Sequence, residues 1–366
     1  MGNLSLSVYQ FFIFLFLILL VLKRSNAEVA LPVFVFGDST ADVGTNDFLP
    51  ECQARADVLY NGIDYPSQVP TGRYSNGYNT IDFISMLMGH KESPLPFLNL
   101  STQVGANFSD EILQGVNFAS GGSGILFDTG KQFVQVIPFS QQIDQFTTVY
   151  SNISEALGSE AAGDFVKKSI FLFSIGSNDI LEYYQFNSSM NSHTFLIKLV
   201  NEYKTYLKKL IDIGARKLGI MSVSVIGCVP RARALNITGG CIDIVNSFAQ
   251  VFFELLGSML GELSLECQGL IYSLGDIYKM TDFVLKNPIG FGFTEIKSAC
   301  CGNGTFNGEA PCNVSAYVCS NRNEHLFWDR FHPSQAAANL TALTLYDGST
   351  IFVSPINFRQ LAGSNA

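Results

Sequence analysis

The chain is 366 residues long, 47% hydrophobic and 14% charged, with a formal net charge of −9. Its apolar content excludes a mainly disordered protein, and its acidic balance argues against nucleic acid as a main partner, because phosphate binding needs clustered Lys and Arg. The 32 glycines follow no Gly-X-Y period, which excludes a collagen-like rod, and no repeat marks a solenoid or propeller.

In chain order, Phe11 to Leu22 is an unbroken run of twelve apolar residues. It is shorter than the roughly 17–25 residues of a membrane span. Ser25-Asn26-Ala27 supplies small residues for a cut after Ala27, so residues 1–27 read as a signal peptide. Lys23-Arg24 lie beyond the apolar run rather than before it, which makes a signal anchor the competing reading. No stable membrane span is expected in the remainder.

Val33 to Phe36 is a continuous apolar run ending in Gly37-Asp38-Ser39, the pattern of a fully buried strand. Residues 45–78 are rich in Asn, Gly, Pro and Tyr and predict a long structured loop. A helix is expected over Thr80–Met88. A strand follows at Gly115–Phe118, running into glycines 121–124. Ser169–Ile175 is a second clear buried strand, followed by Gly176-Ser177-Asn178-Asp179. Helical spacing of Leu196, Leu199, Val200, Tyr203, Leu207 and Leu210 predicts a helix over Thr194–Ile213, with Gly214 as its stop. Strands are expected at Lys217–Ile226 and Gly269–Leu274, and helices at Ile242–Leu265 and Ser334–Leu345. Alternating strands and helices imply an α/β fold with a parallel sheet covered on both faces. No linker divides residues 28–366, which read as one domain.

Eight cysteines, five of them between Cys267 and Cys319, suggest disulfides and a stapled C-terminal third. Cys300 and Cys301 are adjacent and no CxxC pair exists, so the usual zinc spacings are absent. Sequons at Asn99, Asn107, Asn152, Asn187, Asn236, Asn303, Asn313 and Asn339 agree with passage through the secretory pathway, each an N-glycan acceptor if exposed. The expected destination is outside the cell or a vacuole.

Three strands end in small polar clusters, and in open α/β sheets sites form at the carboxyl ends of strands. Ser39 would sit where backbone N–H groups are free, as a nucleophile or as a helix cap. Asn178 could donate its amide to a developing oxyanion, or simply cap a turn. The glycines at 121–124 could bring a backbone N–H to the same oxygen, or form a plain tight turn; no Gly-Lys-Ser/Thr follows, so they are not a phosphate loop. His332 follows Asp329 by three residues, within reach of a carboxylate that would fix its tautomer; alone, that pattern is equally a buried His with a local hydrogen bond. His90, His193 and His325 read as structural or surface residues.

Taken in order along an α/β chain, these pieces identify a resemblance. Phe36-Gly37-Asp38-Ser39-Thr40, Gly115 to Gly124, Gly176-Ser177-Asn178-Asp179 and Phe327 to Pro333 resemble the four blocks of the GDSL esterase/lipase family of SGNH hydrolases, in its secreted plant form. Thr40 stands where the name-giving motif has Leu. Pro70 to Gly77 and Ala299-Cys300-Cys301-Gly302 are also similar to those enzymes. The resemblance implies a three-layer α/β/α sandwich with a central parallel sheet of about five strands in flavodoxin-like order. It also implies Ser39 as nucleophile, His332 as base and Asp329 as its orienter. An oxyanion hole would come from the Ser39 N–H, a glycine (Gly124, with Gly122 as rival) and Asn178. No metal or organic cofactor is implied, and the partner is a small-molecule or lipid ester. The expected function is ester hydrolysis through a Ser39 acyl-enzyme. The alternatives are an acyltransferase that uses an alcohol in place of water, and a binding protein on a retired fold.

Overall fold

The computed structural model describes residues 30–102, 106–186 and 189–365. The expected signal segment, Asn187 and the side chain of Asn107 lie outside the described residues. The apolar runs become five parallel strands: β1 (Val33–Gly37), β2 (Gly115–Asn117), β3 (Ile170–Ser174), β4 (Lys217–Met221) and β5 (Ile271–Gly275). Their order is 2-1-3-4-5, and a short strand at Val353–Ser354 adds antiparallel to β5 as a sixth. The register is flush: Val33 pairs with both Gly115 and Ile170, Ile170 with Lys217, and Lys217 with Ile271. The carboxyl ends of β1, β3, β4 and β5 therefore finish level, which places whatever follows them on one edge.

Strands β1, β2 and β4 are buried throughout and β3 up to its last residue, as continuous apolar runs require, while β5 is half-buried over its first two residues. Side chains alternate between two cores with period two. Phe34 and Phe36 point into a large aromatic core with Phe118, Phe146, Phe171 and Phe173; Phe36 and Phe173 stack with centroids 5.2 Å apart. Val33 and Val35 face the opposite layer, against Ile84, Leu345 and Phe358. Much of the chain's Phe content is spent on filling this sandwich.

The expected helices form at Thr80–Leu87, Ser192–Ile213, Asp243–Glu266 and Gln335–Asp347. Strand β4 stops at Met221, five residues before the expected Ile226. The apolar run continues because Val223 and Ile226 pack into the core from outside the sheet, and hydrophobicity alone does not distinguish that from a strand. Further helices at Phe139–Leu157, Ser159–Lys168, Ser177–Phe186 and Ile277–Lys286 complete the layers. Their signal was present: Phe139, Ile143, Phe146, Val149 and Ile153 recur at helical spacing and are buried. Among the described residues, Asp243–Glu266 is the one helix long and apolar enough to cross a membrane. Its composition follows from its packing, since Val245, Phe252, Leu256, Met259 and Leu263 lie in the core.

Disulfides join Cys228–Cys241, Cys300–Cys319 and Cys301–Cys312. Cys52 and Cys267 remain thiols. The stapled segment thus lies at residues 300–319, as the crowding suggests. Cys300 and Cys319 also lie near His325, but their sulfurs are bonded to each other and are not thiolate ligands. The described residues from Leu31 onward form one compact unit.

The long loop is pinned by a buried ion pair. Arg73 donates through Nε and Nη2 to the two Asp82 carboxylate oxygens at 2.7 and 2.8 Å. Asp82 also accepts from the Asn79 and Ser93 backbones. Arg73→Met would strand a buried carboxylate, and the expected loss of stability is about 3–5 kcal/mol. A urea unfolding midpoint measured for both proteins checks it.

Candidate active site

Strand β1 delivers Asp38-Ser39-Thr40 to the carboxyl edge. No helix begins there; a single turn closes when Ala41 and Asp42 donate their N–H groups to the Asp38 carbonyl at 3.1 and 3.0 Å. Gly37 has no alternative at this point. A Cβ on it would stand 2.5 Å from the Ser174 carbonyl oxygen and 2.9 Å from the Ala41 Cβ. Gln142 clamps the same residue, accepting from its N–H and donating to its carbonyl, both at 2.9 Å. Thr40 has work of its own. Its hydroxyl bonds the Asp38 carboxylate at 2.8 Å and lies 2.7 Å from the Ser174 hydroxyl, tying the turn to β3.

His332 arrives from the other end of the chain. Its Nε2 lies 2.8 Å from Ser39 Oγ, and its Nδ1 lies 2.8 Å from both carboxylate oxygens of Asp329. With Nδ1–H donating a hydrogen bond to Asp329, Nε2 is left to accept the Ser39 hydroxyl proton. The loop that carries the pair is closed by the Trp328 N–H donating to the His332 carbonyl at 2.8 Å, and the buried Trp328 ring donates to Asn61 at 2.8 Å. Tyr74 packs on the imidazole with ring centroids 4.8 Å apart, its own hydroxyl held by the Ala54 carbonyl. Burial by itself would raise the Asp329 carboxyl. The His332 charge and the hydrogen bonds from His332 and Phe331 outweigh it and hold the group below the usual carboxylate range.

These residues open onto a cavity of about 590 Å³. Asn178, at the start of the helix after β3, lines it and donates one amide proton to the Ser123 carbonyl at 2.9 Å, leaving the second free. Gly122 lines it as well, with φ +81° in the left-handed region. Gly124 does not. A Cβ there would point at Thr129 and the Asp179 carboxylate, away from the cavity. Among the described residues, neither the Ser39 nor the Gly122 N–H has a hydrogen-bond acceptor.

The remaining histidines lie elsewhere. His90 bonds the Leu31 carbonyl, His193 sits in a helical first turn, and His325 bonds the Asn321 carbonyl. The sequence reading missed the buried acids that shape the turn loops. Asp42 accepts from the Gly44, Thr45 and Gly121 N–H groups. Asp179 accepts from Ile125, Leu126 and Thr129. Short polar residues amid glycines carry no periodic signal that would have marked them.

The sequence profile described as GDSL-like lipase/acylhydrolase matches residues 33–345. The chain belongs to that family. It is 37% identical over 339 residues to GDSL esterase/lipase At5g55050 of Arabidopsis thaliana, covering 91% of this chain and 90% of the relative. It is 36% identical over 331 residues to GDSL esterase/lipase LTL1 of the same plant, covering 88% of each. A solved α/β hydrolase, LAE5 from the metagenome of Lake Arreo, aligns over 86% of this chain and 93% of its own at 12% identity and a TM-score of 0.36, too remote to argue from.

In this GDSL-family site the Asp38 carboxyl is pushed from an ordinary 3.8 up to about 6 by burial, against the hydrogen bonds from Thr40 and the His332 charge. Its Oδ2 is buried with no partner. A carboxyl raised in this way holds its proton more tightly folded than unfolded. Its contribution to stability therefore falls as pH rises from 3.8 to about 6, and the buried charge destabilises the fold above that. Asp38→Asn keeps the acceptor for Thr40 and removes the charge. The variant is expected to gain on the native protein across that window, by about 3 kcal/mol at pH 8. Urea midpoints at pH 4 and pH 8 check it.

Proposed function

We propose that this protein is a secreted serine esterase that cleaves carboxylic esters through an acyl-enzyme on Ser39. The observation that carries the reading is the unbroken chain of hydrogen bonds from Asp329 through His332 to Ser39, each at 2.8 Å, at the wall of a cavity. His332 Nε2 takes the hydroxyl proton as Ser39 Oγ bonds to the ester carbonyl carbon. The carbonyl oxygen becomes an oxyanion and receives hydrogen bonds from the Ser39 N–H, the Gly122 N–H and the free Asn178 amide proton. The carbon–oxygen bond to the alcohol then breaks, and His332 returns the proton to the departing alcohol. Water enters, loses a proton to His332, and attacks the acyl carbon. The acid leaves and Ser39 regains its proton. Asp329 stays ionised throughout and stabilises the imidazolium that forms twice per cycle. Gly122 replaces Gly124 in this assignment because it lines the cavity.

Export rests on the apolar segment ahead of residue 28, with residues 28–366 as the mature single domain. The three disulfides suit an oxidising compartment. Asn99, Asn152, Asn236, Asn303 and Asn313 are partly exposed and Asn339 is exposed, so glycans could be carried at these sequons.

Ser39→Ala is expected to abolish both ester turnover and labelling by a fluorophosphonate probe. Asn178→Ala should keep the labelling site but lower kcat about 10²–10³-fold with KM little changed, the mark of a donor used mainly in the transition state. Full turnover by Ser39→Ala would reject the assigned nucleophile.

A further inference from the structure

The cavity reaches well beyond the triad. Its wall includes Ser39 after β1, Ser174 and Asn178 after β3, Met221 and Ser222 after β4, Ile277 and Met280 after β5, and Phe352 beside the sixth strand. From β1 to β5 are three strand spacings, about 14 Å across the edge of the sheet. The far arm is walled by two helices that present the same stripe. Ile277, Met280, Thr281 and Val284 lie at i, i+3, i+4 and i+7, and so do Ala337, Leu340, Thr341 and Thr344.

The hydroxyls in this arm are already satisfied. Thr341 and Thr344 donate to the carbonyls of Ala337 and Leu340 at 2.9 and 2.8 Å. Thr281 bonds the Ile277 carbonyl and the Ser224 hydroxyl, and Ser222 accepts from the Ile277 N–H. None of these eight stripe positions is charged. Among the described cavity-lining residues, the one buried side-chain polar atom without a partner is Asp38 Oδ2, beside Ser39. The charged wall residues lie off these two helices: Arg330 adjoins Asp329 in sequence, the Arg231 N–H is bonded to the Arg330 carbonyl, and Arg55 and Glu182 belong to other segments. A sugar or other polar group would lose its water in the far arm and find no partner. An aliphatic chain would lose nothing.

We propose, resting on the ester-hydrolase reading above, that this arm holds the acyl chain of the substrate and that the enzyme selects long, unbranched fatty acyl esters. Val284 and Thr341, one on each helix, line the arm and are the positions where added bulk would shorten it. The acyl group is the part assigned here because it must stay bound while alcohol leaves and water enters. Exposed Gln53 and Gln132 on the same cavity wall mark a more polar, solvent-facing side for that exchange.

The test measures kcat/KM for 4-nitrophenyl esters from acetate to palmitate, and for a second series with acetate fixed and the alcohol lengthened. Each acyl methylene taken out of water is expected to raise kcat/KM about fourfold until the arm is full. Val284→Phe and Thr341→Phe should each lower activity on the long esters roughly 100-fold, by excluding three or four methylenes, while acetate turnover and fluorophosphonate labelling persist. A flat acyl series, equal losses on acetate and palmitate in both labelled variants, or a rise with alcohol length instead, overturns the assignment of the arm while leaving the esterase standing. Absence of any ester turnover together with absence of labelling sinks the esterase reading itself, and this inference with it.

Discussion

The hydrogen bond between Ser39 Oγ and His332 Nε2 joins residues 293 apart in sequence, and the candidate chemistry depends on it. Neither side chain has freedom to spare. Ser39 follows a glycine pressed against the Ser174 carbonyl and clamped by Gln142. His332 is gripped on one nitrogen by Asp329, on its face by Tyr74, and through its backbone by Trp328. Displacing either support by about 1 Å can cost 100-fold in rate. This explains why so many buried polar contacts converge on two short loops.

Burying acids opposes stability even as their contacts give precision. Asp38, Asp42 and Asp179 are all buried, and burial raises each to about 6. Asp42 and Asp179 each gather three donors, most of them backbone N–H groups, so that glycine-rich loops with no secondary structure keep one shape. The aromatic core beneath supplies the opposing stabilisation, with Phe34, Phe36, Phe171 and Phe173 all fully buried. The site is thus a polar rim on a well-packed sandwich.

The flush register of the strands links this rim to the long cavity. Because β1, β3, β4 and β5 finish level, the turns that follow them line one continuous trough rather than separate niches. Helices Ile277–Lys286 and Gln335–Asp347 then roof its far end. Fold and site are one construction: the same sheet edge positions Ser39, Asn178 and the apolar arm.

Much of this was legible in the residues. Continuous apolar runs at Val33–Phe36 and Ser169–Ile175 read as strands covered on both faces, and the polar clusters after them pointed to the edge where sites form in such sheets. Asp329 and His332 declared their pairing because three residues suffice to bring a carboxylate to an imidazole. Local spacing carried that information by itself. What only the tertiary structure decided was every relation between distant segments. Gly122 rather than Gly124 lines the cavity because Asp179, 55 residues after Gly124, draws the loop around it. Beyond Met221 the run to Ile226 stays apolar because Val223 and Ile226 pack into the core from outside the sheet, not because the strand continues. Thr281 and Thr341 look polar in sequence and become apolar walls once their hydroxyls turn back to the backbone. A one-dimensional pattern records which side chains avoid water; which cavity they enclose depends on partners brought together by folding.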